Sequence, residues 1–388
     1  MTGALGLSVL VGLLAVSLIR LTPVGSLIGK VSIENPLELY SNQTGINNYK
    51  CFVNDIVNAC EDVKIHFDSG TAFLACGDPA QRQFYYPPSC ALDESRRTDF
   101  REKFFKYDID SNSTTELKVV NYDGDIITHG IDVISDGTDR VRLLAVNHGR
   151  PVDSILVMSH ELGTEKLEVL KEVKHPNIKT ANGVSQYNSS AFFITNDHYF
   201  PKGLGRKVED YFGPWSWASD VQLCTFDDET TTCNRVLGPF PGANGIYYYH
   251  EHNELWISDS KDAVAYGYKV FDDGLGGLSF SLIRKIILGA APDNVNPDPL
   301  TGDLLYAIFP EKEHVQDYVT NSPRLGKEYL VPSASLRLVR SNNFTPQLVY
   351  WDDGSILSYM TAMAIDPGRQ VLIGGGVLQY GGSAVCYL

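Results

Sequence analysis

The sequence lacks several patterns that mark large enzyme classes. It has no Gly-x-Ser-x-Gly elbow, which argues against a serine esterase, and no phosphate loop or dinucleotide-binding fingerprint. Basic residues are also scarce, because 32 Lys and Arg stand against 47 Asp and Glu and give a formal charge of −15. Nucleic-acid binding needs clustered basic residues, so we expect no nucleic-acid partner.

Long apolar runs are absent except at the N-terminus. Residues 5–19 are almost wholly apolar, but this run is shorter than the roughly 20 residues that span a membrane. No basic residue precedes it, and Arg20 and Lys30 follow it, so a cleaved signal peptide and an uncleaved signal anchor within residues 1–30 both stay open. The segment predicts entry into the secretory pathway, with membrane or lipid association if it is retained.

Cysteines and glycosylation sequons indicate the same route. Seven cysteines suit an oxidising compartment that pairs six and leaves one over. Cys224 and Cys233 flank a Thr-rich turn and are placed to form a disulfide across a hairpin. Cys76 and Cys90 are placed to form a disulfide that closes a loop. Four Asn-x-Ser/Thr sequons predict glycosylation of a secreted chain; they begin at Asn42, Asn112, Asn188 and Asn343.

The rest of the chain has the pattern of an all-β fold. After about residue 50, short β-branched or aromatic runs alternate with turns rich in Gly, Asp and Asn. Six runs look like equivalent inner strands, spaced on the order of the ~40–50 residues of a four-stranded blade. We therefore predict one domain over residues 31–388, a six-bladed β-propeller. The runs are 71–76, 142–146, 191–195, 254–259, 303–309 and 370–375.

Closure of such a propeller draws a strand from the N-terminal region into the last blade. Cys51 and Cys386 are placed to lock this closure covalently, with Cys60 as the alternative partner of Cys386. Cross-linking so long a loop removes several kcal/mol of chain entropy from the unfolded state, roughly 4–5 kcal/mol by the loop-length relation.

Oxygen-bearing side chains suited to calcium are scattered along the chain. Calcium takes carboxylate, amide and carbonyl oxygens, and the central tunnel of a propeller can collect them from several blades. Each candidate precedes a predicted strand. Asn-Gly and Asp-Asn pairs are also common turn residues, so spacing alone leaves a turn role open. The candidates are Glu61 and Asp62, Asn182, Asn244, and Asp293 with Asn294.

Several short segments occur in the order in which the paraoxonase (arylesterase/lactonase) family carries them. They run from about residue 50 to the C-terminus, and their number and order carry the resemblance rather than any one match. The segments are 60–65 (CEDVKI), 129–131 (HGI), 146–148 (VNH), 194–200 (ITNDHYF) with Asn182 upstream, 243–246 (ANGI), 293–294 (DN), 372–374 (LIG) and 386–388 (CYL).

The resemblance implies a calcium-dependent hydrolase of small lactones and aryl esters, with organophosphate hydrolysis as a further activity. It implies that calcium polarises the carbonyl so that no serine nucleophile is needed, that His129 is the general base, and that His148 is its partner in a dyad. It also implies the disulfide between Cys51 and Cys386. The implied ligands of the catalytic calcium are Glu61, Asn182, Asn244, Asp293 and Asn294.

A second, structural calcium is implied as well, but its ligand set is incomplete in this sequence. The matching positions are Asp62, the carbonyl of Ile131 and the residue after Asn182. That residue is Gly183, where an Asp is expected, so the second site is doubtful. Two further departures, Gly242 and Phe309, fall on the predicted pocket wall and predict an altered substrate preference.

Two alternatives remain beside the hydrolase. In one, calcium only holds the blades together, and the propeller is a non-catalytic binding module. In the other, the chain is a gluconolactonase-like or strictosidine-synthase-like propeller enzyme. The pair His129 and His148 favours catalysis, because a purely structural metal needs no histidines beside it, and the ITNDHYF segment favours the paraoxonase branch.

Overall fold

The computed structural model describes residues 44–274, 277–311 and 330–388. The predicted signal peptide or anchor and the sequon at Asn42 lie outside these residues. Within them, no helix combines the length and the apolar character that a membrane span requires.

Strands make up nearly all of the regular structure, and the only α-helices in the described ranges are α1 (Pro79–Arg82) and α2 (Gly203–Phe212). The strands are β1 (Cys51–Asn54), β2 (Cys60–His66), β3 (Thr71–Cys76), β4 (Tyr85–Tyr86), β5 (Ala91–Leu92), β6 (Lys103–Asp108), β7 (Ser113–Val120), β8 (Thr128–Ser135), β9 (Arg140–Asn147), β10 (Ser154–Glu161), β11 (Lys166–Val173), β12 (Ala181–Asn188), β13 (Ala191–Asn196), β14 (Ser219–Phe226), β15 (Thr231–Phe240), β16 (Ala243–Tyr249), β17 (Glu254–Asp259), β18 (Val264–Asp272), β19 (Leu278–Ile287), β20 (Ala291–Pro297), β21 (Leu304–Phe309), β22 (Ser333–Val339), β23 (Thr345–Asp352), β24 (Met360–Asp366), β25 (Val371–Gly376) and β26 (Ser383–Tyr387).

These strands form antiparallel sheets arranged around an axis. Three sheets contain four consecutive strands each, β12–β15, β16–β19 and β20–β23, and a fourth joins β24, β25 and β26 to the N-terminal strand β1. An eight-stranded sheet has the order β2-β3-β6-β7-β11-β10-β9-β8, and β4 pairs with β5. The strands β2, β8, β12, β16, β20 and β24 contact one another in turn and close a ring around the axis.

The predicted all-β propeller is confirmed, but the prediction of six separate blades is not met. Four four-stranded sheets are separate, whereas the outer strands β7 and β11 pair in parallel and merge the remaining eight strands into one sheet. The pairing covers two strand edges that would otherwise be open to solvent. Sequence periodicity gives no sign of it, because it joins Lys118 to Lys166 across an intervening run of three strands.

The six runs predicted as inner strands are the second strands of their groups, not the first. They correspond to β3, β9, β13, β17, β21 and β25. These strands are almost wholly buried and mostly apolar, which makes them conspicuous in the sequence. The strand before each of them lies at the axis and carries polar residues, so an apolar pattern does not reveal it.

Apolar side chains fill the space between neighbouring sheets. Trp256 on β17 is fully buried in one such layer, together with Tyr306 and Leu336 of the next sheet. Its ring lies against Gly267, where an added Cβ would come within 2.8 Å of the ring. The close approach of the two strands therefore depends on a glycine at this position.

Three disulfides tie strands together. Cys51 on β1 bonds to Cys386 on β26, the closure that the sequence predicts, and Cys224 bonds to Cys233 across β14 and β15. The third joins Cys60 to Cys76, which are register partners on β2 and β3. The alternative pairings Cys76–Cys90 and Cys60–Cys386 are therefore wrong, and Cys90 is the free cysteine of the described chain.

Loss of the closing disulfide should destabilise the protein more than loss of the short one. Cys51 and Cys386 are 335 residues apart, and Cys224 and Cys233 only 9, so the loop-entropy relation gives the closing bond an advantage of about 3 kcal/mol. We expect Cys51→Ala/Cys386→Ala to lower the urea midpoint clearly more than Cys224→Ala/Cys233→Ala. Equal losses would contradict a role in closure.

Candidate active site

The six strands at the axis share one irregularity. Each has a register shift with its neighbour within its first few residues, for example between Cys60 and Asp62 on β2 and between Ala243 and Ile246 on β16. The same shift occurs in β8, β12, β20 and β24. Because a bulge redirects side chains, one end of the ring presents polar groups to the axis where regular alternation would not.

Four oxygens at this end of the ring are buried and have no hydrogen-bond partner. They are Glu61 Oε2, Asn182 Oδ1, Asn244 Oδ1 and Asp293 Oδ1, and all four residues line one cavity. Leaving a buried acceptor unsatisfied costs about 1–3 kcal/mol. Four such oxygens from four different strands form a cradle suited to a hard cation such as calcium.

The two carboxylates of the cradle, Glu61 and Asp293, influence each other's ionisation. Burial and the neighbouring Glu61 and Asp62 carboxylates raise the pKa of Asp293 well above its usual value. Burial alone would also raise the pKa of Glu61, but His129 and the Asn294 amide hold it below its usual value. The two carboxylates thus differ in their tendency to ionise, as expected for like charges that share one buried site.

Asn294 and Thr361 hold Glu61 in place. The Asn294 amide donates to Glu61 Oε1 at 2.9 Å, and the Thr361 hydroxyl donates to the Glu61 carbonyl oxygen at 2.7 Å. Thr361 belongs to β24, so this strand also contributes to the site. Of the five predicted ligands, the structure gathers four around the cavity and places Asn294 directly behind Glu61.

The two predicted catalytic histidines are neighbours. His129 Nδ1 lies 2.9 Å from His148 Nε2, and His129 Nε2 lies 3.4 Å from Glu61 Oε1. On the far side, His148 Nδ1 lies 3.0 Å from Asp153 Oδ1, within ion-pair distance but without hydrogen-bond geometry. Asp153 follows His148 by five residues, and no motif in the sequence marks it as a site residue.

The cavity above the cradle has a volume of about 530 Å³ and a partly aromatic wall. Phe309 and Tyr359 stack there with ring centroids 4.4 Å apart, and Gly242 also lines the wall, as the sequence predicts for it and for Phe309. Tyr86 is buried and packs against His129 and His148. Beyond the segment 85–88 lies a second cavity of about 540 Å³, which reaches the other side of His148.

A buried ion pair that the sequence analysis missed supports this wall. Arg82 donates to Glu102 through Nε at 2.9 Å and Nη2 at 2.7 Å, and neither residue is accessible. Glu102 also accepts from the backbone N–H of Thr128, next to His129, and the Arg82 guanidinium lies over the Tyr86 ring. Arg82 and Glu102 are 20 residues apart and belong to no common repeat, so no local signal in the sequence reveals the pair.

Other predicted site residues lie apart from the cradle. Asp62 points away from the cavity and accepts from the backbone N–H groups of Val63 and Ile131. Burial raises the pKa of Asp62 to about 6, although the Lys64 ammonium opposes the shift. The sequons beginning at Asn112, Asn188 and Asn343 are exposed at turns.

Metal clusters of the zinc type are absent from the described ranges, where no three His, Cys, Asp or Glu side chains gather at one point. The cradle instead combines amide and carboxylate oxygens. The fold and the site thus define a β-propeller whose centre carries buried, unpartnered oxygens beside a histidine pair.

Comparison with known proteins shows the family to which the chain belongs. The family model described as Arylesterase matches residues 94–381, so the chain belongs to the arylesterase family. The predicted carboxylic ester hydrolase is confirmed at that level. Serum paraoxonase/lactonase 3 of Oryctolagus cuniculus is 26% identical over 328 residues, which cover 83% of this chain and 84% of the relative.

Further relatives cover most or about two thirds of the chain. Serum paraoxonase/arylesterase 1 of Mus musculus is 25% identical over 368 residues, or 92% of this chain and 96% of the relative. Serum paraoxonase/arylesterase 2 of Homo sapiens is 25% identical over 249 residues, or 63% of this chain and 65% of the relative. The resemblance found in the sequence is therefore confirmed along its length.

Removing the Glu102 carboxylate should destabilise the whole protein. Glu102→Ala leaves the Arg82 guanidinium buried without its partner, which costs roughly 3–5 kcal/mol. The control is Glu116→Ala, which breaks the exposed pair of Glu116 with Lys103 and should cost less than about 1 kcal/mol. Denaturant melts of both variants measure the difference, and similar melts would contradict this role.

Proposed function

We propose that the chain is a calcium-dependent hydrolase of lactones and aryl esters. The observation that carries the proposal is the set of four unpartnered, buried oxygens that face a cavity next to the His129–His148 pair. The names of the relatives, arylesterase and lactonase, supply the substrate class. Organophosphate esters are a further substrate class that we propose from the family resemblance alone.

The proposed calcium ligands are Glu61, Asn182, Asn244, Asp293 and Asn294. Their side chains offer oxygen atoms, they approach from four strands of the ring, and four of their oxygens have no other partner. When bound, calcium supplies a positive charge that polarises the substrate carbonyl and stabilises the negative charge that develops on its oxygen.

The histidine chain is arranged to accept a proton from water. If Nδ1 of His148 carries a proton towards Asp153, its Nε2 accepts the Nδ1 proton of His129, which leaves His129 Nε2 as the base in the cavity. His129 Nε2 takes a proton as water adds to the carbonyl carbon. The same nitrogen returns the proton to the leaving alcohol when the ester C–O bond breaks, so the products are a carboxylic acid and an alcohol. Asp293 is a second candidate for the base, and it ranks below His129 because we assign it to the metal.

The cavity wall is suited to an apolar substrate body. The stacked Phe309 and Tyr359 rings and the buried Tyr86 exclude water on the side of the histidines. Exclusion of water strengthens the electrostatic interactions at the carbonyl. The wall therefore favours an aromatic leaving group or a lactone ring.

The family resemblance also guides our proposals for the number of blades and for the location of the protein. We propose that the eight-stranded sheet serves as two blades, since both β2 and β8 take places in the ring, which gives six blades in a single domain over residues 31–388. We also propose a secreted or anchored protein in which Asn112, Asn188 and Asn343 carry glycans. The three disulfides agree with an extracellular setting.

Replacing the proposed base should abolish most of the activity. We expect His129→Gln to lower kcat/KM for lactones and aryl esters by roughly 100-fold or more, as is typical for loss of a general base. His252→Gln, in the turn after β16 and outside the cavity, serves as the matched control and should keep full activity. Activity of His129→Gln close to that of the unmodified protein would refute the proposed role.

Calcium binding and the histidine chain should be separable by substitution. We expect Glu61→Gln to weaken calcium binding in titration calorimetry and to remove activity, because it neutralises a ligand. Asp153→Asn should lower activity while calcium binding persists, because Asp153 contacts His148 and no proposed ligand. If a chelator leaves hydrolysis by the unmodified protein intact, calcium has no role in the reaction, and if no ester is hydrolysed although calcium binds, a binding module is the better description.

A further inference from the structure

A lysine side chain lies inside the ring of axial strands. Lys64 on β2 is buried, with 6% of the residue exposed. Its Nζ donates to the carbonyl oxygen of Val295 on β20 at 2.9 Å and lies 3.5 Å from Asp62 Oδ1. The ammonium therefore bridges two strands of the ring across the axis, beyond the calcium cradle.

A second buried carboxylate lies within the electrostatic field of this ammonium. Asp132 on β8 is 4% exposed and accepts from the backbone N–H groups of Gln186 at 2.7 Å and Val133 at 3.0 Å. Burial raises the pKa of Asp132, and the charge of Lys64 acts against this rise. Asp62 and Asp132 are two inaccessible anions, and burial of such charges is costly unless a cation stands nearby.

The same region does not fit the structural calcium that the family resemblance implies. Both Asp62 oxygens already accept backbone N–H groups, from Val63 and Ile131. At Gly183, where the resemblance implies a third ligand, an added Cβ would lie 2.8 Å from the Asn244 carbonyl oxygen and 3.0 Å from the Ile246 nitrogen. Calcium needs six to eight oxygens, and this region offers it no carboxylate that is not already engaged.

We infer that the Lys64 ammonium is the permanent cation of the tunnel and stands in place of a second metal ion, so that the chain takes a single calcium, at the cradle of Glu61 and Asp293. An ammonium has three donors and is satisfied by far fewer acceptors than calcium. The ammonium has such partners here: it donates to the Val295 carbonyl oxygen and lies beside the Asp62 carboxylate. The negative charge of Asp132 adds to the field around it. The inference concerns the inner part of the tunnel and rests on the proposed function only for the identity of the first ion.

The first test is the number of calcium ions bound per chain. The full-length protein is equilibrated with calcium and then examined by titration calorimetry and by metal analysis after removal of loosely bound ions. We expect one ion per chain, and none in Glu61→Gln. Two tightly bound ions in the unmodified protein would overturn the inference. No bound ion would contradict both the proposed calcium and the count of one, whereas the stability of Lys64→Met tests the role of the ammonium independently.

The second test measures stability in the presence of a chelator. Lys64→Met leaves Asp62 without its paired cation and removes one of the positive charges that act on Asp132, so it should lower Tm by roughly 5–10 °C. The double variant Lys64→Met/Asp62→Asn removes one of these anions and should recover much of the loss. Lys103→Met changes an exposed lysine on β6 of the same sheet. It is the matched control and should leave Tm nearly unchanged.

Calcium gives the test a second readout. Because the inner tunnel offers calcium no free carboxylate, added calcium should raise the Tm of Lys64→Met only as much as it raises that of the unmodified protein, through the cradle. A clearly larger response of Lys64→Met would contradict the poor fit of this region to calcium. A Lys64→Met protein that melts with the unmodified protein in chelator would overturn the inference, and if Lys64→Met does not fold, the calcium count decides alone.

Discussion

The centre of this protein depends on negative charge that the fold forces out of water. Six strands meet at the axis, and bulges near their starts turn Glu61, Asp293 and several amide oxygens towards a common point. In the chain alone one oxygen of each of these groups has no partner, since no arginine or lysine reaches the four free oxygens in the described structure. In the function that we propose, a bound cation relieves this electrostatic cost and supplies the charge that ester hydrolysis requires.

Closure of the ring makes this arrangement possible. Each axial strand contributes one or two groups, so the cradle exists only while β1 holds the last sheet to the first part of the chain. The disulfide between Cys51 and Cys386 fixes that junction. The pair of Arg82 and Glu102 in turn holds Thr128 and Tyr86 beside the histidines. The site is thus assembled from residues that span almost the whole described chain, which explains why no short stretch of sequence could contain it.

The sequence allowed prediction of those features that short motifs carry. Most residues of the cradle and Cys386 of the closing disulfide lie in short segments that resemble a known family, and the spacing of apolar runs predicts the propeller class. Features that depend on distant contacts could not be predicted: Arg82 meets Glu102 after 20 residues, and Lys64 meets Val295 after 231. The axial strands were misplaced by one because the strand behind each of them is the more apolar, and the Cys76–Cys90 pairing was wrong because loop length says nothing about register.

The two cations of the tunnel differ in a way that follows from their positions. Near the cavity the positive charge must contact the substrate. The site there needs ligands with free oxygens and an open side towards the cavity of about 530 Å³. A lysine could not serve there, because its ammonium donates protons and offers no coordination site that draws electrons from a carbonyl. Deeper in the tunnel no substrate arrives, and the task is only to balance Asp62 and Asp132. A covalently attached charge performs that task without a binding equilibrium, so this part of the tunnel keeps its charge balance whatever the supply of calcium.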